Sequence, residues 1–206
     1  MENFDELALT WDEPRRVERA KVIADEIIKA IPDLDKMTGF EYGCGTGLLS
    51  FNLQSRLKYI TLGDNSPGML SVVMQKIEKV KVENMTPILV DLAKDEMIDE
   101  RKYDLIYTFM TLHHIEDIDK VFDAFTKMLN PRGYLCIIDL DKEDGSFHGD
   151  GFTGHNGFNR KELAEKLVNH GFGDLSCKTC FENIKKSKDG TERKYPLFLM
   201  VGQKQI

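Results

Sequence analysis

Between positions 14 and 30, Val17, Ala20, Ile23, Ala24, Ile27 and Ile28 recur at helical spacing, with Arg, Lys and Glu taking the other positions. The pattern predicts a surface helix entered after Trp11 and ended near Pro32. The short segment 38–42, Thr-Gly-Phe-Glu-Tyr, runs straight into glycines and reads as a first strand. Strand-like and helix-like windows then alternate. Strands are expected over 59–63, 86–90, 103–109 and 134–140, and helices over 48–57, 67–80, 118–129 and 159–170. Such alternation predicts a parallel sheet covered by helices on both faces. Asn130-Pro131-Arg132-Gly133 is a turn signal before the fifth strand.

The pattern changes near the C-terminus. Residues 175–184 and 195–202 are two strand candidates joined by a polar, Lys-rich stretch with Asp189-Gly190, so a hairpin replaces the crossover helix and the sheet should end antiparallel. Val121, Phe122, Phe125, Met128 and Leu129, together with Met69, Met74 and Met85, read as core. No repeat, low-complexity segment or linker divides the chain, so residues 1–206 are expected to form one domain, with residues 1–30 as an N-terminal cap and helix.

Composition narrows the classes. With 41% hydrophobic and 31% charged residues over 206 positions, the chain can bury a full core. No apolar run reaches the roughly 18–20 residues a membrane span needs, and the segment from Met1 to Glu6 lacks the basic-then-apolar order of a signal peptide. A cytoplasmic protein without membrane contact is expected, its four cysteines Cys44, Cys136, Cys177 and Cys180 reduced. A net charge of −7 argues against a broad nucleic-acid footprint, leaving at most a basic patch at Lys185, Lys186 and Lys188. No metal site is expected: Cys177-x-x-Cys180 has neither a second such pair nor neighbouring histidines to complete four ligands.

The sequence Glu41-Tyr42-Gly43-Cys44-Gly45-Thr46-Gly47 lies between the first strand and the next helix. Alternate glycines permit positive φ and let a flat or anionic ligand group lie against the backbone; a plain strand-to-helix turn is the other reading. Leu48 stands where a dinucleotide fingerprint would need its third glycine, which weakens a pyrophosphate site. Asp64, at the end of the second strand, is placed to reach the hydroxyls of a ribose bound over the first loop, or else to cap the helix near Pro67. Asp91 ends the third strand. In an open α/β sheet all three features face one crevice.

These motifs, with Gly63-Asp64-Asn65-Ser66-Pro67-Gly68-Met69, Val90-Asp91-Leu92 and the run from Tyr103 through Phe109-Met110 to His113-His114, together resemble the class I S-adenosylmethionine-dependent methyltransferases. The resemblance runs from about residue 5 to 203 and takes in the Phe4-Asp5 to Trp11-Asp12 segment, which is like those that cover the cofactor. It implies a Rossmann-like α/β three-layer sandwich with a seven-stranded sheet in the order 3-2-1-4-5-7-6, strand 7 antiparallel. It implies that Glu41 and the loop of Gly43, Cys44, Gly45 and Gly47 hold the methionine part, Asp64 the ribose, and Asn65 or Met69 the adenine. Asp91, with Leu92 beside it, would accept from the adenine amino group, and Phe109 and Met110 would flank the sulfonium. The cofactor would be S-adenosylmethionine, leaving as S-adenosylhomocysteine.

The acceptor is expected to be a small molecule. The segment after the fourth strand is Thr-Phe-Met-Thr-Leu-His-His instead of the Asn/Asp-Pro-Pro-aromatic clamp used on nucleic-acid amino groups. His113 and His114 follow that strand, and the glycine-rich stretch 141–158 carries His148 and His155, so these four histidines are the candidates for the acceptor site, the stretch being either a lid or a surface loop. A non-catalytic cofactor-binding module and a nicotinamide-dependent oxidoreductase are the competing readings.

Overall fold

The computed structural model describes residues 3–94, 101–186 and 191–206. Lys188, the Asp189-Gly190 turn and the side chain of Lys186 lie outside the described residues. Seven strands form one sheet in the order β3-β2-β1-β4-β5-β7-β6. They are β1 (Thr38–Tyr42), β2 (Tyr59–Asp64), β3 (Met85–Leu89), β4 (Tyr103–Phe109), β5 (Leu129–Leu140), β6 (Phe172–Lys186) and β7 (Glu192–Lys204). β7 pairs antiparallel with both β5 and β6, and the remaining pairs are parallel. This is the predicted Rossmann-like architecture. The strand order reverses between β1 and β4, the place where such sheets open a crevice at their carboxyl ends.

The helices are α1 (Phe4–Leu7), α2 (Pro14–Ala30), α3 (Leu48–Leu53), α4 (Pro67–Val80), α5 (Ile118–Met128) and α6 (Arg160–Asn169). Alternation along β1 separates two cores. Phe40 and Tyr42 pack with Phe122 and Phe125 of α5 and Leu163 and Leu167 of α6. Across the sheet, Leu105 and Tyr107 of β4 join Ile23 and Ile27 of α2, Leu49 and Leu53 of α3 and Val73 of α4. Burying each large apolar side chain contributes about 1.5–3 kcal/mol, so both helix layers are held by the sheet.

Several boundaries differ from expectation. α3 stops at Leu53, and a 3-10 turn over Gln54–Arg56 follows; Asn84 donates from Nδ2 to the carbonyls of Gln54 and Leu57, both at 3.0 Å, so the helix end finds its partners outside the helix. β5 begins at Leu129 instead of position 134. The Asn130–Gly133 turn survives inside it as an irregularity against Tyr103 and Leu105, with Arg132 at φ 61° and Asn130 donating to Asp104 at 2.7 Å. β6 and β7 outrun their predicted ends in both directions. Met74, expected in the core, is 54% exposed, because α4 turns Met69, Leu70 and Val73 inward instead.

Candidate active site

β1 ends at Tyr42 and the chain enters a loop in which Gly43, Gly45 and Gly47 sit at φ 70°, 53° and 79°. A Cβ on Gly43 would collide with the side chain of Thr111, which follows β4. The loop is pulled onto β2: the amides of Gly43 and Cys44 both donate to the Gly63 carbonyl, at 2.8 and 3.0 Å. Asp64, at the tip of β2, completes the clasp. Its two oxygens accept from Gly45 N at 2.7 Å and Ser66 N at 2.9 Å. A carboxylate has about four lone-pair sites, so these amides leave accepting capacity for a hydroxyl donor in the crevice. Burial pushes the Asp64 carboxyl above its ordinary range, opposed by those backbone donors. The cap of α4 is Ser66, whose Oγ accepts from Met69 N at 3.1 Å, so the capping alternative for Asp64 falls away.

Asp91 stands one strand further out, accepting from Ala93 N at 3.2 Å and Asn65 Nδ2 at 3.3 Å and pairing with Lys94 at 3.0 Å. Over the crevice lies the N-terminal segment. Asp5 accepts from Ser66 Oγ at 2.6 Å and Gly68 N at 2.7 Å, and these bonds hold its carboxyl below the usual range. Asp12 is bonded to Thr46 Oγ1 and Lys76, both at 2.5 Å. Trp11 lies edge-on to Phe4 and beneath the Arg16 guanidinium, 3.9 Å from the ring centre.

These parts enclose a cavity of about 650 Å³, within the usual range for small-molecule sites, about 300–1,000 Å³. Of the predicted site residues, Glu41, Gly43, Cys44, Gly45, Asp64, Asn65, Met69, Asp91, Phe109, Met110, His114 and His148 line it. Gly47, Leu92, His113 and His155 do not. Gly47 starts α3 against Phe51, Leu92 is buried beneath the rim, and His155 is turned away with Nε2 2.8 Å from the carbonyl of Ile115.

The matched family model, described as a methyltransferase domain, covers residues 33–195. The chain belongs to the methyltransferase family. It is similar to an uncharacterized methyltransferase of Schizosaccharomyces pombe, 28% identical over 198 residues that cover 90% of this chain and 67% of that one. It is also similar to malonyl-[acyl-carrier protein] O-methyltransferase 2 of Ilyobacter polytropus, 30% identical over 68% of this chain and 53% of that one. Among solved structures, phosphoethanolamine N-methyltransferase 2 of Haemonchus contortus, in complex with phosphomonomethylethanolamine and S-adenosylhomocysteine, superposes with a TM-score of 0.73 at 16% identity, covering 89% of this chain and 52% of that one.

The methyltransferase domain is of the S-adenosylmethionine-dependent class, and its cavity fits that cofactor. The bare backbone at Gly43 is a cradle that any Cβ would fill, and two buried carboxylates at adjacent strand tips remain exposed to the cavity. Alternation along β1 sends Glu41 to the face opposite Phe40. There it accepts from Ser50 Oγ, which is 2.6 Å from the Tyr107 hydroxyl. Burial raises the Glu41 carboxyl to about 8, against the lowering effect of Ser50.

At the other end of the cavity, the methyltransferase domain gathers residues that the sequence reading missed. Arg19 points inward with Nε buried and unpartnered, its guanidinium 5.2 Å from the Phe109 ring centre. Burial, then the nearby Arg16 and Arg15, lower its pKa to about 10. A signal was present: Arg16, Ala20, Ile23 and Ile27 lie on one helical stripe, and Arg19 borders it, whereas Val17 on the expected apolar face is 41% exposed. Trp11, Thr111, Asp150 and Phe152 also line the cavity.

The stretch after β5 forms a flap over this end. Its limbs are joined by Glu143 N to Asn156 O at 2.9 Å and Lys142 N to Phe158 O at 3.0 Å, and His155 N donates to the His113 carbonyl at 2.7 Å. Gly154 allows that approach, since a Cβ there would strike the same carbonyl. His148 stacks on Phe152 at 3.9 Å between ring centres. Desolvation, then the crowding of imidazoles that cannot all be charged together, lowers His114 to about 3 and His148 to about 4, with Lys185 adding to the effect at His148, so both rings are neutral at pH 7.

Proposed function

We propose that this domain transfers a methyl group from S-adenosylmethionine to a small-molecule acceptor. The observation that carries the reading is the continuity of the cavity. Glu41, Gly43, Cys44, Gly45, Asp64, Asn65, Met69 and Asp91 form its cofactor end, while Arg19, His114, His148 and Phe152 form a second end suited to an acceptor. The net charge of −7 favours the same acceptor class over a polyanion. Acceptors differ among the similar proteins: one relative is an O-methyltransferase and one structural neighbour an N-methyltransferase.

When bound, the cofactor supplies a methyl group on a sulfonium, open to in-line displacement. The chain's own residues do the rest by positioning, an effect that can contribute up to about 7–11 kcal/mol. Asp64 offers its free lone pairs to the ribose hydroxyls and Asp91 accepts at the adenine edge. Phe109 and Met110 flank the reacting end, and residues 3–30 serve as a cap that excludes water. Arg19, a half-buried cation with no salt bridge among the described residues, suits an anionic group on the acceptor. His114 and His148 are too weakly basic to remove a proton efficiently at neutral pH, so their role in this scheme is to orient the acceptor. His113 and His155 support them from behind.

Calorimetry with S-adenosylhomocysteine, followed by labelled methyl transfer into small-molecule extracts, tests the proposal. Micromolar binding and a labelled product of low mass are expected. Binding without any transfer would leave a cofactor-sensing module, and failure of both cofactor forms to bind at millimolar concentration would defeat the reading.

A further inference from the structure

The densest group of ligating side chains among the described residues is His113, His114 and His148: one ring nitrogen from each lies within 4.8 Å of the other two. Two separate elements bring them together, the 3-10 turn Leu112–His114 after β4 and the flap after β5. Ring centres are 4.1 Å apart for His113 and His114, 5.0 Å for His113 and His148, and 5.2 Å for His114 and His148.

His113 is fully buried, and its Nδ1 lies 2.6 Å from Oδ1 of Asp139, also fully buried. The second oxygen of Asp139 accepts from the His113 backbone amide at 3.3 Å. An ionised carboxylate only accepts, so Nδ1 carries the proton and Nε2 keeps its lone pair. That Nε2 is buried and finds no hydrogen-bond partner, and the same is true of Nε2 of His148. Leaving a buried nitrogen unpaired is unfavourable, and a cation would satisfy both at once with each ring presenting its lone pair. A carboxylate that fixes the tautomer and aims the free nitrogen is also the usual support behind a metal-bound imidazole.

We infer that His113, His114 and His148 form a three-histidine site for a zinc-class divalent cation, with Asp139 orienting His113 as a positioning residue. Imidazole nitrogens suit zinc, cobalt, nickel and copper, whereas magnesium and calcium prefer oxygen. Zinc–nitrogen bonds of about 2.0–2.1 Å place tetrahedral ligands roughly 3.4 Å apart, so loading draws the rings closer together. His148 supplies that movement, since it sits on the flap, and metal binding therefore fastens the flap over the cavity. The fourth coordination position faces the cavity, because His114 and His148 line it while His113 closes the rear. An acceptor hydroxyl or thiol bound there would release its proton to solvent and stand beside the cofactor end as the anion. That last step rests on the proposed methyl transfer; the cation site does not.

The test uses the full chain, stripped with a chelator and titrated with Co²⁺ under anaerobic conditions. One Co²⁺ per chain is expected, with the visible ligand-field absorption of a four-coordinate site that Zn²⁺ displaces. His113→Ala risks unfolding, so the diagnostic variant is His148→Ala on the flap, which should weaken Co²⁺ at least about 100-fold; Asp139→Asn should weaken it about 10–100-fold. A Cys177→Ser/Cys180→Ser variant should bind Co²⁺ as the parent does. Failure of the parent to bind stoichiometrically, or unchanged affinity in His148→Ala, overturns the site. Binding of S-adenosylhomocysteine is measured calorimetrically on the same samples, so loss of the metal site and failure of the methyltransferase reading are separate results.

Discussion

The two ends of the cavity satisfy their polar groups in opposite ways. At the glycine-loop end, Asp64 accepts two backbone amides, Asp91 is tied to Ala93, Asn65 and Lys94, and the loop amides of Gly43 and Cys44 converge on Gly63. That end is preorganised by the chain itself. At the histidine end, Nε2 of His113, Nε2 of His148 and Nε of Arg19 are buried without partners. A fold can carry the first arrangement unchanged through many chemistries, whereas the second is finished only by what binds there.

The contrast can be broken most sharply at Asp64. Charge-assisted hydrogen bonds contribute about 1.5–3 kcal/mol each, so Asp64→Ala, which loses the loop clasp and the proposed ribose contacts, should weaken S-adenosylhomocysteine at least about 100-fold by calorimetry. A change of less than threefold would show that the glycine-loop end does not hold the cofactor as described. At the opposite end, Phe152→Ala removes the ring against which His148 stacks; it should lower kcat/KM about 10–100-fold through misplacement while cofactor affinity moves less than about threefold. If both constants fall together, the two ends are not separable.

Glu41 gives a smaller, pH-dependent effect. Its folded pKa of about 8 lies above the unfolded value near 4.3, so the folded state binds the extra proton between those limits. Its contribution to stability is therefore fully present below about pH 4 and falls as pH rises through about 8, with a slope of at most about 1.4 kcal/mol per pH unit. Denaturant melts of Glu41→Gln between pH 5 and 9 should lack that slope. The weakest expected effect is at the cap: Asp5→Ala should raise the dissociation rate of S-adenosylhomocysteine about two- to tenfold in stopped flow, as for loss of an ordinary hydrogen-bonded contact.

Legibility in the sequence followed the same division. The glycine loop, Asp64 and Asp91 could be found because each marks a strand end in a sheet whose alternation with helices fixes where strand ends meet. Arg19 was hidden among the charged residues of an amphipathic helix, although it borders the stripe of Arg16, Ala20, Ile23 and Ile27. His113, His114 and His148 could be grouped from the sequence as acceptor-site candidates, but their close approach could not: His148 lies 34 positions after His114, and the flap is folded back by His155 N on the His113 carbonyl together with the bonds that join its limbs. The start of β5 was missed because Asn130–Gly133 reads locally as a turn, while Asp104 on the neighbouring strand holds it in the sheet.

The clamp made by Asp5 also constrains the order of assembly. Asp5 leaves the ribosome more than sixty residues ahead of Ser66 and Gly68, the groups that receive it, and so must wait unanchored until α4 exists. Docking of residues 3–12 through Asp5 thus depends on α4 being in place, whereas no strand pairing of the sheet involves them.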